Sequence, residues 1–102
     1  TTAKPGEVVF GPYAPLPAGK YVAIFRLKGG GSGVIGKVDT CVGGGAPITA
    51  SREIRAEDVA EDQFRCIPLE FTHPGGAVET RVGWYGQGWI GVDWVALFRI
   101  EP

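Results

Sequence analysis

The stretch VETRVGWYGQGWIGVDWVALFRI runs from Val78 to Ile100 and holds all three tryptophans of the 102-residue chain. Apolar and polar residues alternate on both sides of the glycine-rich segment 86–88, as they do in two strands joined by a tight turn. We therefore predict strands over residues 77–85 and 89–100. The rings and glycines near the turn either pack as core or form a flat surface against which another molecule lies.

Alternation also assigns the side chains of these two strands to faces. The residues expected inside form two sets at alternate positions: Val78, Thr80, Val82 and Trp84 in the first strand, and Ile90, Val92, Trp94, Ala96 and Phe98 in the second. Trp84 and Trp94 are accordingly expected to lie mainly in the core. Tyr85 and Trp89 stand at the two ends of the turn, where we expect both rings to face solvent.

Two ways of connecting the strands are compatible with this pattern. In a hairpin, the loop sets three pairs of residues opposite each other: Tyr85 with Trp89, Gly83 with Gly91, and Arg81 with Asp93. Rings, bare main chain and charged groups on one face suit a sugar, which has an apolar C–H face and a rim of hydroxyls. In a jelly roll, the second strand crosses to the opposite sheet, and only the exposure of Tyr85 and Trp89 is expected to remain.

The rest of the sequence is divided into short apolar runs by 17 glycines and 8 prolines, counted over the whole chain. This punctuation is typical of many short strands and tight turns. Further strands are predicted over residues 7–11, 20–28, 34–42, 48–55 and 64–72, with a helical turn over residues 56–61.

Two of these predicted strands carry positional signals. In the strand over 20–28, alternate residues are expected inside and the strand is expected to be central: Tyr21, Ala23, Phe25 and Leu27. In the strand over 64–72, Pro68 cannot donate to a neighbour, which indicates an edge strand or a bulge. The predicted fold is an all-β antiparallel β-sandwich (jelly roll) of seven to eight strands, in a single domain over residues 1–102.

Charge and hydropathy argue against several classes of partner. The net charge is −1, from 10 basic and 11 acidic residues, so neither nucleic acid nor an anionic membrane is expected as a partner. The sequence has no apolar run of about 18 residues, so no membrane-spanning helix is predicted. Its first residues, TTAKPGEVV, lack the apolar region of a signal peptide.

Residues that indicate catalysis are sparse, and we predict that the protein is not an enzyme. GGGSGVIGK, at residues 29–37, is followed by a strand pattern in place of the helix that would bind phosphate, and no GxSxG motif is present. The single histidine, His73, is expected to be an exposed turn residue. A group of neighbouring carboxylates is expected to form a solvated face: Glu57, Asp58, Glu61 and Asp62.

Two cysteines, Cys41 and Cys66, leave two alternatives open. A disulfide between them would stabilise the fold by closing a loop. As two separate buried thiols, each would pack as a small apolar side chain. With one histidine in the chain, they form a closed zinc site only if several carboxylates take part.

Three segments carry a resemblance to a known family: LPAGKYVAIFRLKG at residues 16–29, VGWY at 82–85 and IGVDWVALFRI at 90–100. They resemble the early and closing strands of the galactose-binding-like jelly rolls, above all the carbohydrate-binding modules of families 6 and 35. Those modules show an early strand of the form pG-x-Y-x-x-x-F-R. Their closing strand has an Asp, then an aromatic or aliphatic residue, then Val or Ile.

The resemblance implies a noncatalytic β-sandwich that binds polysaccharide or oligosaccharide, with sugar rings stacked on Trp and Tyr in loops at one end. By position, Trp84, Tyr85 and Trp89 match that region. Such modules often bond hydroxyls through Asn, which this chain lacks, so Gln87 is expected to substitute for it. Arg81 is expected to bond sugar hydroxyls as well, if the strands pair as a hairpin.

A structural calcium ion is also implied by the resemblance. Many family members bind it through a Glu of the first strand and the Asp of the last strand. Asp93 matches the latter, and Glu7 is the candidate for the former, although the E-x-E opening of the family is absent.

The expected function is that of a noncatalytic carbohydrate-binding module in a larger secreted, extracellular protein that acts on glycans. Its expected partners are a polysaccharide or oligosaccharide and a parent catalytic domain. The alternative is a structural or assembly β-sandwich that mediates protein–protein contact, in which Tyr85 and Trp89 form an interface patch.

Overall fold

Two antiparallel sheets form a β-sandwich in the computed structural model, which describes residues 6–10, 15–44 and 47–101, and only the backbone of residues 9, 10 and 101. The strands in this part of the chain are β1 (Gly6–Phe10), β2 (Gly19–Gly30), β3 (Val34–Val42), β4 (Ile48–Arg55), β5 (Arg65–His73), β6 (Val78–Trp84) and β7 (Trp89–Glu101). One sheet has the order β1-β6-β3-β4 and the other β5-β2-β7. The predicted all-β sandwich is confirmed; residue 11 of the predicted first strand lies outside the described residues.

The core between the sheets is built from alternate residues of facing strands. In β2 the predicted interior set is at most 3% exposed: Tyr21, Ala23, Phe25 and Leu27. Side chains from β5 and from the opposite sheet pack against them: Ile67, Leu69, Phe71, Ile35, Val38 and Ile54. β2 is the central strand of its sheet, as predicted. Because each large apolar side chain contributes about 1.5–3 kcal/mol when buried, this alternation holds the two sheets together.

Pro68 lies in β5, which is an edge strand of the three-stranded sheet. An edge strand pairs on one side only, so a residue without an N–H group is tolerated there. The exposed Pro68 is the partner of Ile24 in β2. The edge position predicted from this proline is therefore confirmed.

The helical segment found in the described residues is a 3-10 turn over Ala56–Asp58, inside the predicted range 56–61. The Asp58 carboxylate accepts a hydrogen bond of 2.8 Å from the backbone N–H of Arg55 and so closes the start of the turn. Within this part of the chain, no helix has the length and apolar character needed to cross a bilayer.

A β-bulge at Asp93 interrupts the pairing of β7 with β2. Arg26 pairs with Trp94, but the next residue, Leu27, pairs with Val92, so Asp93 is an extra residue in β7. Side chains alternate between faces with a period of two, and one inserted residue therefore exchanges the faces of everything beyond it.

Because of the bulge, the predicted faces are correct only for the first part of β7. Beyond it, Val95 and Leu97 pack against the core. The prediction that Trp94, Ala96 and Phe98 lie inside is wrong: Trp94 is 42% exposed and Phe98 is 54% exposed. These three side chains lie on the outer face of the three-stranded sheet.

The connection from β6 to β7 crosses between the sheets, so these strands are not neighbours. Among the described strands, only β3 and β4 are both consecutive in the chain and paired, which agrees with the jelly-roll alternative. The hairpin alternative is wrong, and so are the three cross-strand pairs that it required. Gly83 pairs with Glu7 and Lys37, whereas Gly91 pairs with Lys28.

Arg81 and Asp93 consequently belong to separate ion pairs. Arg81 donates from Nε and Nη2 to the two carboxylate oxygens of Asp39, at 2.7 and 3.0 Å, and Asp39 is fully buried. These hydrogen bonds raise the pKa of Arg81, which keeps the guanidinium charged. Asp93 accepts a 3.0 Å hydrogen bond from Nε of Arg26 on the exposed face of the other sheet.

His73 is buried, contrary to the expectation of an exposed turn residue. It is 1% exposed, its Nε2 lies 2.8 Å from the carbonyl oxygen of Gly76, and its ring packs edge-on against Tyr21 and Phe71. His73 pairs with the first residue of β2, whereas Trp89 pairs with the last, so the two lie at opposite ends of the sandwich.

The two cysteines are separate thiols. Cys41 is buried in β3 of one sheet, and Cys66 is exposed in β5 of the other sheet. Burial raises the pKa of the Cys41 thiol. Of the two alternatives left open by the sequence, the structure therefore selects the one without a disulfide, but the expected burial holds for Cys41 and is wrong for Cys66.

The Asp39→Ala substitution is expected to lower the free energy of unfolding by about 3 kcal/mol, because it leaves the largely buried charge of Arg81 without its partner. The matched substitution Asp93→Ala removes a carboxylate from an exposed pair and is expected to leave the free energy of unfolding close to that of the wild type. Urea denaturation of both variants measures the difference. Equal losses of stability would contradict the described burial of the Asp39–Arg81 pair.

Thiol labelling is expected to distinguish the two cysteines. In the folded protein, Cys66 reacts with a maleimide, whereas Cys41 does not, because a thiolate is the reactive form and burial disfavours it. After unfolding in denaturant, both thiols react. Mass spectrometry counts the labels, and a native protein that takes up labels only after reduction would contradict the free-thiol assignment.

Candidate functional site

Three loops meet at the end of the sandwich where β2 ends and β7 begins, and we call this the aromatic end. The loops are residues 31–33 between β2 and β3, 56–64 between β4 and β5, and 85–88 between β6 and β7. Backbone hydrogen bonds hold them to the sheets and to each other. The N–H of Tyr85 donates to the carbonyl of Ile35 at 3.0 Å, and the N–H of Ala56 donates to that of Gly33 at 2.9 Å.

Tyr85 and Trp89 both face solvent at this end, as predicted, with exposed fractions of 45% and 42%. Trp89 is the first residue of β7 and pairs with Gly30 of β2. Its indole extends over Gly91, since a Cβ built there would lie 3.5 Å from Cζ3 of Trp89. The ring therefore rests on bare main chain and leaves its other side to solvent.

Glycine allows the main chains of two loops to touch beneath these rings. A Cβ at Gly88 would collide with the carbonyl oxygen of Gly30, and a Cβ at Gly31 would lie 2.8 Å from the Cα of Gly88. At Gly29, a Cβ would lie 2.6 Å from the carbonyl oxygen of Trp89. These contacts leave no room for a side chain, so the close approach of the loops depends on glycine.

Gln87 ties the loop 85–88 to the loop 31–33. Its Nε2 donates to the carbonyl of Ser32 at 3.0 Å and to that of Val34 at 2.5 Å. A side-chain amide nitrogen has two protons, and both are used here by the main chain. We therefore assign to Gln87 a role in positioning the loop, which leaves its side-chain oxygen as the atom that can accept a hydrogen bond from a sugar hydroxyl.

Trp84 lies beneath the same loop. Its side chain is partly buried, and its Nε1 donates to the carbonyls of Gln87 at 3.0 Å and Gly88 at 3.3 Å. The expectation that Trp84 belongs mainly to the interior is met in part. Because its indole N–H is engaged, Trp84 supports the loop that presents Tyr85 and Trp89.

Arg81 is not brought to the aromatic end. It points to the outer face of the four-stranded sheet, where its guanidinium bonds Asp39 and lies 3.7 Å from the Glu7 carboxylate. The expectation that Arg81 bonds sugar hydroxyls depended on a hairpin of β6 and β7. Because these strands do not pair, that expectation is wrong as well.

The two expected calcium ligands are not brought together either. Glu7 is in β1 of the four-stranded sheet, 3.7 Å from both Lys37 and Arg81, whereas Asp93 pairs with Arg26 on the other sheet. Residues 6–10, 15–44 and 47–101 contain no group of three or more His, Cys, Asp or Glu side chains that could hold an ion. Calcium takes about six to eight oxygen ligands, so these two carboxylates do not fit a shared calcium ion.

Glu61 lies at the aromatic end and was missed by the sequence interpretation. A Cβ built on Gly30 would lie 2.5 Å from Oε2 and 2.8 Å from Cγ of Glu61, so this side chain packs on the bare Cα of Gly30. Since Gly30 pairs with Trp89, Glu61 packs on the backbone position opposite Trp89. The glycine run at 29–31 signals that some group approaches the main chain there, but it does not identify the group.

The fold is a β-sandwich similar to that of a carbohydrate-binding module of known structure. One solved structure that the chain resembles is the carbohydrate-binding module CBM6cm-2 from Cellvibrio mixtus lichenase 5A, determined in complex with cellotriose. The TM-score is 0.62 at 17% sequence identity, and the match covers 85% of this chain and 66% of that chain, so this chain spans about two thirds of that module. No protein-family model matches the sequence. A search of curated proteins finds no match.

The Gly88→Ala substitution is expected to destabilise the domain more than Gly33→Ala. Both residues have a positive φ, of 63° and 67°, which costs a non-glycine residue about 1 kcal/mol. Gly33 has open space around it, whereas a Cβ at Gly88 meets the carbonyl of Gly30. Thermal unfolding of the two variants isolates the clash, and equal melting temperatures would contradict the described contact between the loops.

Proposed function

We propose that this domain is a noncatalytic carbohydrate-binding module that stacks a sugar ring of a polysaccharide or oligosaccharide on Trp89, with Tyr85 as a second ring. The observation that carries the proposal is the half-exposed indole of Trp89 resting on the bare main chain of Gly91. A pyranose has an apolar C–H face that lies flat on such a ring, and its hydroxyls reach polar groups at the border.

The rigidity of the aromatic end supports this function. Trp89 begins a strand, and Tyr85 precedes a loop that is fixed by Gln87 and by glycine contacts. Aromatic side chains that are already held in place lose little conformational freedom when a ligand binds, which favours association. The similar module from Cellvibrio mixtus was determined with cellotriose, which supports an oligosaccharide as the class of ligand.

The site favours binding over hydrolysis. Cleavage of a glycosidic bond uses two carboxyl groups on opposite sides of the bond, which requires a cleft that surrounds the sugar. Trp89 instead offers one open face above a sheet. We infer that the domain serves a larger secreted protein and keeps its catalytic domain close to the polysaccharide.

A second candidate function is protein–protein contact, and a different surface favours it. Three apolar side chains on the outer face and end of β7 are exposed: Trp94 at 42%, Phe98 at 54% and Ile100 at 44%. Contiguous apolar surface of this kind is typical of contacts between proteins or domains. Trp94 lies opposite Arg26 and Trp89 opposite Gly30, so both rings lie on the outer face of the three-stranded sheet, and single substitutions at each ring distinguish the two functions.

The Trp89→Ala substitution is expected to weaken glycan binding by about tenfold or more, which corresponds to about 1.4 kcal/mol. Trp94→Ala is the matched control, because Trp94 lies on the same strand and has the same exposed fraction of 42%. Affinity electrophoresis in gels that contain cellulose derivatives, xylan, mannan or galactan measures binding, and circular dichroism checks the fold of both variants.

Three outcomes would contradict the proposal. Loss of folding in Trp89→Ala would show that the indole belongs to the core. Loss of binding in Trp94→Ala, with binding by Trp89→Ala unchanged, would show that the glycan contacts Trp94 and not Trp89. A wild type that no glycan retards, and that elutes as a dimer which Trp94→Ala dissociates, would favour the second candidate function.

A further inference from the structure

The side chain of Glu61 packs on Gly30, the cross-strand partner of Trp89. Its Oε2, Cδ and Cγ lie where the Cβ of Gly30 would be, at 2.5–2.8 Å from that position. Gly30 is the cross-strand partner of Trp89, and partners in antiparallel strands have side-chain positions about 5 Å apart. A sugar on the indole therefore lies within reach of the Glu61 oxygens.

The segment that carries Glu61 is docked on the sheet. Val59, two residues earlier, is 6% exposed and belongs to the core. The carbonyl of Ala60 accepts a 3.0 Å hydrogen bond from the N–H of Gly29. Anchors one and two residues before Glu61 fix where its side chain begins, and from there the side chain packs on Gly30.

Two cations on this face have partners other than Glu61. Arg26 and Lys28 both approach the ring of Phe64, at 5.6 and 4.6 Å from its centroid. Both cations thus contact the Phe64 ring. Within the described residues, Glu61 takes part in no ion pair, whereas Arg26 pairs with Asp93.

We propose that Glu61 is a specificity-determining residue that makes the aromatic end selective for neutral glycans over glycans that carry carboxylates. This inference rests on the proposed function. The ionised carboxylate accepts hydrogen bonds from sugar hydroxyls, and hydrogen bonds to charged groups are stronger than those between neutral groups. A uronic acid on Trp89 brings a second negative charge next to the first and is repelled.

The test uses two matched pairs of soluble polymers, each with a neutral and a carboxylated member. They are hydroxyethyl cellulose with carboxymethyl cellulose, and galactan with polygalacturonate. Isothermal titration calorimetry measures the affinity for each polymer at low salt and at about 0.5 M salt, where charge–charge interactions are largely screened. The quantity compared between variants is the ratio of the affinities for the neutral and carboxylated members of a pair.

The Glu61→Gln substitution keeps the size of the side chain and removes its charge. We expect the ratio to shift towards the carboxylated polymer by about fivefold or more at low salt, and by much less at high salt. Gly30→Ala is an independent variant, because its Cβ occupies the space of the Glu61 side chain and displaces the flexible carboxylate. It is expected to shift the ratio in the same direction without any change in net charge.

Glu57→Gln is the matched control. Glu57 is exposed in the same segment, so the substitution makes the same change in net charge at a distance from Gly30. We expect the ratio to stay at its wild-type value. A shift equal to that of Glu61→Gln would attribute the selectivity to the overall charge of the domain and overturn the inference.

Two further outcomes separate this inference from the proposed function. If the wild type binds a neutral polymer through Trp89 and Glu61→Gln leaves the ratio unchanged, the inference is overturned and the proposed function remains. If the wild type binds no polymer in either pair or in the wider glycan panel, the proposed function is overturned and the inference with it.

Discussion

The contact of main chain with main chain between residues 29–31 and 88–89 is the constraint on which the aromatic end depends. Side chains at Gly31 or Gly88 would hold the loops apart, and Gln87 adds hydrogen bonds that only a close loop can make. The contact fixes where β7 begins. It thereby places Trp89 beside Gly30 and above Gly91, where one face of the indole is open to a ligand.

The bulge at Asp93 places both exposed tryptophans of β7 on the outer face of the three-stranded sheet. Trp89 lies before the bulge, on bare main chain and opposite the glycine on which Glu61 packs, which suits a polar ligand with one apolar face. Trp94 lies after it, on the side of the sheet that also carries Phe98. The inserted residue thus brings Trp94 onto the face that already carries Trp89, and the two rings differ in their neighbours and not in the side of the sheet they occupy.

Much of the fold follows from local alternation, which explains why the interior of β2 and the edge position of β5 were predictable. The inner face of the second half of β7 was not predictable. From Trp94 onward both sets of alternate residues are apolar, so the pattern does not show which set is buried. The partner of Arg81 was not predictable either, since Asp39 is 42 positions away and the pairing of β3 with β6, which sets Asp39 opposite Arg81, brings them together. At the site, the exposure of the rings followed from their place at a turn, whereas Glu61 required tertiary contacts that sequence does not show.

The most direct test of the stacking surface is the response of the three indole N–H signals to a glycan in ¹H–¹⁵N NMR spectra, with each signal assigned by a Trp→Phe variant. On titration with a cello-oligosaccharide or another glycan that the domain binds, the account predicts that the Trp89 signal moves most. The Trp84 signal, held by the carbonyls of Gln87 and Gly88, and the Trp94 signal, beyond the bulge, stay near their starting positions. Movement of the Trp94 signal with a stationary Trp89 signal would contradict it.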